Sequence, residues 1–159
     1  MRLRNLIVIL ILVGIAWSSS GCAFTRYKVV PQAEKGPQGG QMMLINQCGS
    51  RYVEFVAKPT SGSEWLLQIF GYDKNMKPKM HYHSADVEIV TPDKKETSVT
   101  LWNTDPFFWN RGVGILSGKA NIEGSAFTAH VVLSHGTARG SSHCIDFNYP
   151  FDGPEKTTK

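Results

Sequence analysis

From Gln41 onward the chain is written in short runs of alternating apolar and polar residues, each broken by turn residues, and no stretch shows a helical period. Alternate residues of an extended chain point to opposite faces, so such runs are strands with one buried side. Gln41 to Asn46 is the first. Arg51 to Ala57 sets Val53, Phe55 and Ala57 on one face and stops before Pro59. Glu64 to Tyr72 is apolar on both faces, as an interior strand should be. Met76 to His83, with Pro78, is a loop. Asp86–Val90, Glu96–Trp102, Val113–Leu116, Phe127–Leu133 and Ser142–Tyr149 follow between turns such as Thr91-Pro92-Asp93. Each short strand must bury its apolar face against a second layer. The expected fold is therefore all-β, an antiparallel immunoglobulin-like β-sandwich of about seven to nine strands over residues 37–150, with a barrel as the alternative.

The first 21 residues obey a different rule. Arg2 and Arg4 precede an apolar run from Leu6 to Trp17, and Ser18-Ser19-Ser20-Gly21 leads to Cys22. A run of about a dozen apolar residues is too short to span a bilayer, which takes roughly 20. It fits a secretory signal helix. Gly21-Cys22 is similar to the end of a lipoprotein cleavage box, in which the cysteine takes a diacylglycerol. The alternative is ordinary cleavage after Ala23, which would discard Cys22. Residues 22–36 are expected to be a tether, and 151–159 a loose tail.

Cysteine use agrees with export. With Cys22 lipidated, Cys48 and Cys144 form an even pair in an oxidising compartment. Their disulfide would close a loop of about 96 residues, worth roughly 4–5 kcal/mol in the chain-entropy model. Ile145, Phe147 and Tyr149 share one face of the last strand, so Cys144 points to the other and the bridge sits outside the core. Two of the 17 basic residues lie in the signal, leaving 15 against 13 acidic ones. That near balance, with no basic run, gives no basis for nucleic-acid binding.

One stretch carries a resemblance. Gly36-Pro37-Gln38-Gly39-Gly40-Gln41 precedes Tyr52-Val53-Glu54-Phe55-Val56, then Leu67-Gln68-Ile69-Phe70-Gly71-Tyr72-Asp73 and Lys77-Pro78. This order resembles small periplasmic β domains with a Pro-His-Gly-Gly entrance, found in bacterial lipoproteins and near heavy-metal efflux adaptor subunits. Gln38 stands where that pattern has its histidine, and glutamine is a poor ligand for soft metals. The resemblance covers residues 36–79 and implies the β fold and the envelope compartment more than metal handling.

Candidate chemistry centres on histidine. His81-Tyr82-His83 puts two imidazoles on one side of an extended segment, with Met80 and Met76 nearby, a set suited to copper. His135 and His143 flank the turn between the last two strands and offer a second possible site for copper or zinc. His130 falls on the outer face. Trp102, Phe107, Phe108 and Trp109 gather around a proline turn; the expected arrangement is a core plug with Trp102 and Trp109 inside and Phe107 or Phe108 outside. The other reading is a partner surface. Glu54, Asp86 and Glu88 are read as solvated surface. The Ser134-His135 and Ser141-Ser142-His143 pairs have no nucleophile elbow and no acid placed to orient a histidine, so no enzyme is expected.

The function expected is a non-catalytic lipoprotein of the bacterial cell envelope, facing the periplasm or on the outer membrane. Its lipid, with palmitate, would sit on Cys22. It would serve as a binding module linked to metal handling or an efflux assembly, with the membrane and an envelope protein as partners. An inhibitor-type β-barrel lipoprotein of the kind that blocks lysozyme is the alternative, though such an inhibitor should present an acidic face. A secreted hydrolase ranks last.

Overall fold

The structure is a computed structural model that describes residues 34–47, 50–107, 112–134 and 143–153. These residues form nine strands: β1 (Glu34–Lys35), β2 (Gln41–Gln47), β3 (Ser50–Ser61), β4 (Glu64–Tyr72), β5 (Ser84–Val90), β6 (Glu96–Asn103), β7 (Leu116–Asn121), β8 (Phe127–Ser134) and β9 (His143–Tyr149). Every pairing is antiparallel, in the order β1-β2-β3-β4-β7-β6-β5-β8-β9. The expected sandwich has two sheets; here one continuous sheet curls until its far strands approach. Alternation alone specifies an inner face and is satisfied equally by a second sheet or by the same sheet returning on itself.

The curl is closed by side chains in place of a full ladder. Asn148 N–H on β9 donates to Gln41 Oε1 on β2 at 2.6 Å, and the Phe55 and Phe147 rings stack with centroids 5.3 Å apart. Trp65 meets both Phe127 and Tyr149 edge-on. Inside lie Val53, Leu67, Ile69, Val87, Leu101, Leu133 and Phe147, all essentially without solvent contact. Burying each of these side chains stabilises the fold by roughly 1.5–3 kcal/mol. The strands β5, β6 and β7 are consecutive and β8 returns beside β5, which is a Greek-key connection.

Three local features differ from the expectation. β3 runs through Pro59 to Ser61; beyond Phe55 its register with β2 has ended and only β4 pairs with it, so the missing proline N–H falls on an open side. The strand expected at Val113–Leu116 begins at Leu116 and continues to Asn121. Its sequence, Leu-Ser-Gly-Lys-Ala-Asn, lacks the branched residues that mark strands, but Gly118 leaves room for the Leu101 side chain, which a Cβ there would strike. The chain also joins the sheet earlier than Pro37, at β1. Residues 1–33, including Cys22, fall outside the described residues, as do Cys48, Phe108, Trp109, His135 and the tail from 154.

The pairings define two ends. At the entrance end lie Gln41, the Ser61–Glu64 turn, Val90–Glu96, Asn121–Phe127 and Tyr149. At the opposite end lie Gln47 and Ser50, the Tyr72–Ser84 crossover, Asn103–Leu116, and the Ser134 and His143 strand ends.

Candidate interaction surface

Each of the strands β2 to β9 begins or ends at the second end, and its geometry follows from the crossover between β4 and β5. That crossover must pass from one half of the sheet to the other, and it does so as an extended segment with its own hydrogen bonds. Lys79 N–H donates to Gly71 O at 2.8 Å, Met80 N–H to Gly112 O at 2.7 Å and His83 N–H to Ser134 O at 2.9 Å. Ser50 Oγ donates to Lys79 O at 2.8 Å. The Asn103 amide bridges the rest: Nδ2 donates to Tyr82 O at 2.9 Å and Oδ1 accepts from Asp105 N–H at 2.9 Å.

Alternation along this segment sorts its side chains. Met80 and Tyr82 are fully buried in the core, so His81 and His83 face the other way and are half-buried. The His81 ring lies against Gly112, where a Cβ would come within 3.1 Å of it. The His83 ring meets Trp102 edge-on, centroids 5.2 Å apart. The proposed set of His81, His83 and Met80 is thus divided: the thioether points into the core and the imidazoles out. Among the described residues no three His, Cys, Asp or Glu side chains come together as a metal-binding group. His143 opens β9 opposite Leu133, and its side chain, like His135, lies outside the described residues.

The aromatic residues overturn the core-plug expectation at Trp102. Its side chain is 56% exposed on the outer face of β6, and Phe107 and Val113 nearby are 53% and 37% exposed. These are the exposed large hydrophobic residues among those described, and all belong to β6 or to the β6–β7 connection. The two legs of that connection are tied together, because Thr104 N–H donates to Ile115 O at 2.9 Å and Ile115 N–H donates to Thr104 Oγ1 at 3.3 Å, while Phe107 N–H donates within its own leg to Asp105 Oδ1 at 2.8 Å. Trp102 pairs with Ser84 and Ser117 and, beyond Ser84, the row continues to Ser134. Serine neighbours are too small to cover an indole, which is why the ring stays in solvent.

Elsewhere a charged residue is treated in the opposite way. Glu54, expected at the surface, is 0% exposed. The β1–β2 hairpin folds over it: the N–H groups of Gln38 and Gly40 both donate to Glu54 Oε1 at 2.9 Å, and Tyr72 Oη donates to Oε2 at 2.8 Å. The Gln38 amide reaches the same tyrosine hydroxyl. Gly36 and Gly40 are required by closeness, since a Cβ on the first would fall inside the Glu54 carboxylate and one on the second inside the Phe55 carbonyl. Burial, first, and the adjacent Glu54 carboxylate push the Tyr72 hydroxyl well above its ordinary value. The signal was present in the sequence: a glycine-rich entrance has many N–H groups to satisfy, and Glu54 is the acid within an apolar run.

A second pairing also went unread. His130 Nδ1 and Asp146 Oδ1 lie 2.7 Å apart across β8 and β9, so an acid does orient a histidine. Both sit on the open outer face, with side chains 43% and 71% exposed, where an ion pair contributes little. Cys144 points outward from the same strand, opposite in sense to Ile145 and Phe147. No family model matches the chain, and searches of curated proteins and of solved structures return no significant match.

Proposed function

We propose that this protein is a non-catalytic, lipid-anchored module of the bacterial cell envelope, held at a membrane through Cys22, that works by contact through its aromatic end. The observation that carries the reading is that Trp102, Phe107 and Val113, the exposed large hydrophobic side chains among the described residues, lie together at one end of the sheet. Apolar side chains concentrated on one rim are the mark of a surface that is covered when the protein works. The anchor rests on the signal and cleavage pattern before Cys22. Pairing of Cys48 with Cys144 is part of the same reading, supported by the disulfide at Cys144 and by the three cysteines of the chain. The resemblance of residues 36–79 to envelope β domains points to the same compartment.

The anchor is tested by mass spectrometry of the mature protein from a bacterial host. The expected species begins at Cys22 and carries a diacylglycerol. A soluble chain beginning after Ala23 would contradict it. Titration with Cu(I), Cu(II) and Zn(II) addresses metal handling: absence of a heat signal and of any change in melting temperature would remove metal from the proposal and leave the contact surface standing.

A further inference from the structure

We infer that the outer face of β6, β5, β8 and β9, with Trp102 at its border, is the docking surface for a protein whose contacting surface is basic. The inference rests on the reading that the exposed aromatic residues are covered in use. It adds the face they belong to and the charge of what covers it.

The face is laid out by register. Trp102 lies in a row with Ser84 and Ser134. The next row toward the entrance end holds Thr100, Asp86, Val132 and Cys144, and the one after it Ser98, Glu88, His130 and Asp146. The alternate positions, such as Val87, Ile89, Leu101, Val131 and Ile145, go to the core, so these side chains point outward. Three steps between neighbouring strands, and the length of β6 from Glu96 to Trp102, make the face about 14 Å across and about 20 Å long.

Charge separates this face from the rest of the sheet when every outward strand position is counted. On β6, β5, β8 and β9 the charged residues there are Glu96, Asp86, Glu88 and Asp146, all exposed, with no lysine or arginine among the described residues. The nitrogen base on the face is His130, already set against Asp146 at 2.7 Å. Outward positions of β1, β2, β3, β4 and β7 are mixed: Lys58 and Lys119 stand with Glu34, Glu64 and the buried Glu54. Lys35 and Arg51 fall at inward positions, opposite Gln41 and in phase with Val53. The bordering β5–β6 turn adds Asp93, Lys94 and Lys95, the last tied to Glu123 at 2.7 Å, and so leaves the acidic excess as it is. Lys74, Lys77 and Lys79 belong to the crossover at the end of the sheet.

Carboxylates spread over three strands with no lysine or arginine between them repel one another, and a cationic surface laid over them relieves that repulsion. They are too dispersed for a metal ion, since among the described residues no three His, Cys, Asp or Glu side chains come together as a metal-binding group. They also disfavour anionic lipid and nucleic acid. An indole at the border is a side chain around which protein contacts concentrate. One sign of charge beside an aromatic anchor selects a basic protein partner.

The test is photo-crosslinking in cells of the native host, with benzoylphenylalanine placed in the full chain at Ser98 and, separately, at Phe107. The Ser98 probe is expected to capture a protein whose contacted peptide carries more Lys and Arg than Asp and Glu. The yield should fall roughly tenfold with Glu88→Gln, Glu96→Gln and Asp146→Asn together, and roughly tenfold with Trp102→Ala. Lys119→Gln, on the other half of the sheet, should leave it unchanged. Each variant must keep the urea midpoint of the unaltered protein; if the triple variant does not, Glu88→Gln alone takes its place and should lower the yield by about threefold. A yield unchanged by these substitutions would overturn the inference. So would a contacted peptide without basic excess, an adduct with a second copy of this chain, or adducts with lipid only. Capture at Phe107 with none at Ser98 would overturn it while leaving the aromatic end as a contact surface; capture at neither would remove both.

Discussion

Glu54 and Trp102 sit on outer faces of the same sheet, and each is found where its chemistry is least expected. The carboxylate is sealed from water and the indole is left in it. The difference lies in what covers each position. Over Glu54 the β1–β2 hairpin closes, supplying two N–H groups and, with Tyr72, three donors to one acid. Around Trp102 the neighbours are serines, and the His83 ring meets it only at an edge. A buried acid met by three donors holds structure in place. A ring left 56% exposed among the described residues contributes little to stability and is available for contact.

This contrast can be broken at either pole. The largest effect is expected from Glu54→Ala, which leaves Tyr72 Oη and the N–H groups of Gln38 and Gly40 without their acceptor. The loss should be at least about 3 kcal/mol, read as a lower urea midpoint. Gly36→Ala drives a methyl group into the Glu54 carboxylate and should cost about 1–3 kcal/mol by the same measurement. Tyr72→Phe removes one of the three donors, for about 1–2 kcal/mol.

Tyr72 also sets a pH dependence. Its folded-state pKa is raised above the ordinary 10.0, so its contribution is complete below that value. As pH climbs past 10.0 the unfolded chain loses the proton and the folded chain keeps it, so stability falls. Tyr72→Phe should flatten this alkaline decline in denaturation curves taken at increasing pH. At the other pole, Trp102→Ala should leave the urea midpoint unchanged within about 0.5 kcal/mol. Asp146→Asn, at the exposed His130 contact, should do no more.

The same contrast shows what alternation reveals and what it leaves open. The period of two located the inner face correctly in Val53, Phe55, Val87, Ile89, Ile145 and Phe147, and it placed Cys144 and His130 outward. It marked Glu64–Tyr72 as interior, and β4 does lie between β3 and β7. It could not say whether an outer face is covered, because coverage comes from distant segments: the 36–40 loop reaches Glu54 across 14 to 16 positions of sequence. Nor could it tell one curled sheet from two, since the seam depends on Gln41 meeting Asn148 across 107 positions. The His130–Asp146 contact was hidden for a related reason. It follows from the β8–β9 register, and register is a property of paired strands.

The central claim is that the aromatic end is covered when the protein is in place. Hydroxyl-radical footprinting, read by mass spectrometry, measures this most directly when performed on intact membranes and again on detergent-extracted protein. Trp102 and Phe107 should be protected in membranes and oxidised after extraction, while the buried Tyr82 is protected in both. Equal oxidation of Trp102 and Phe107 in the two states would contradict the account.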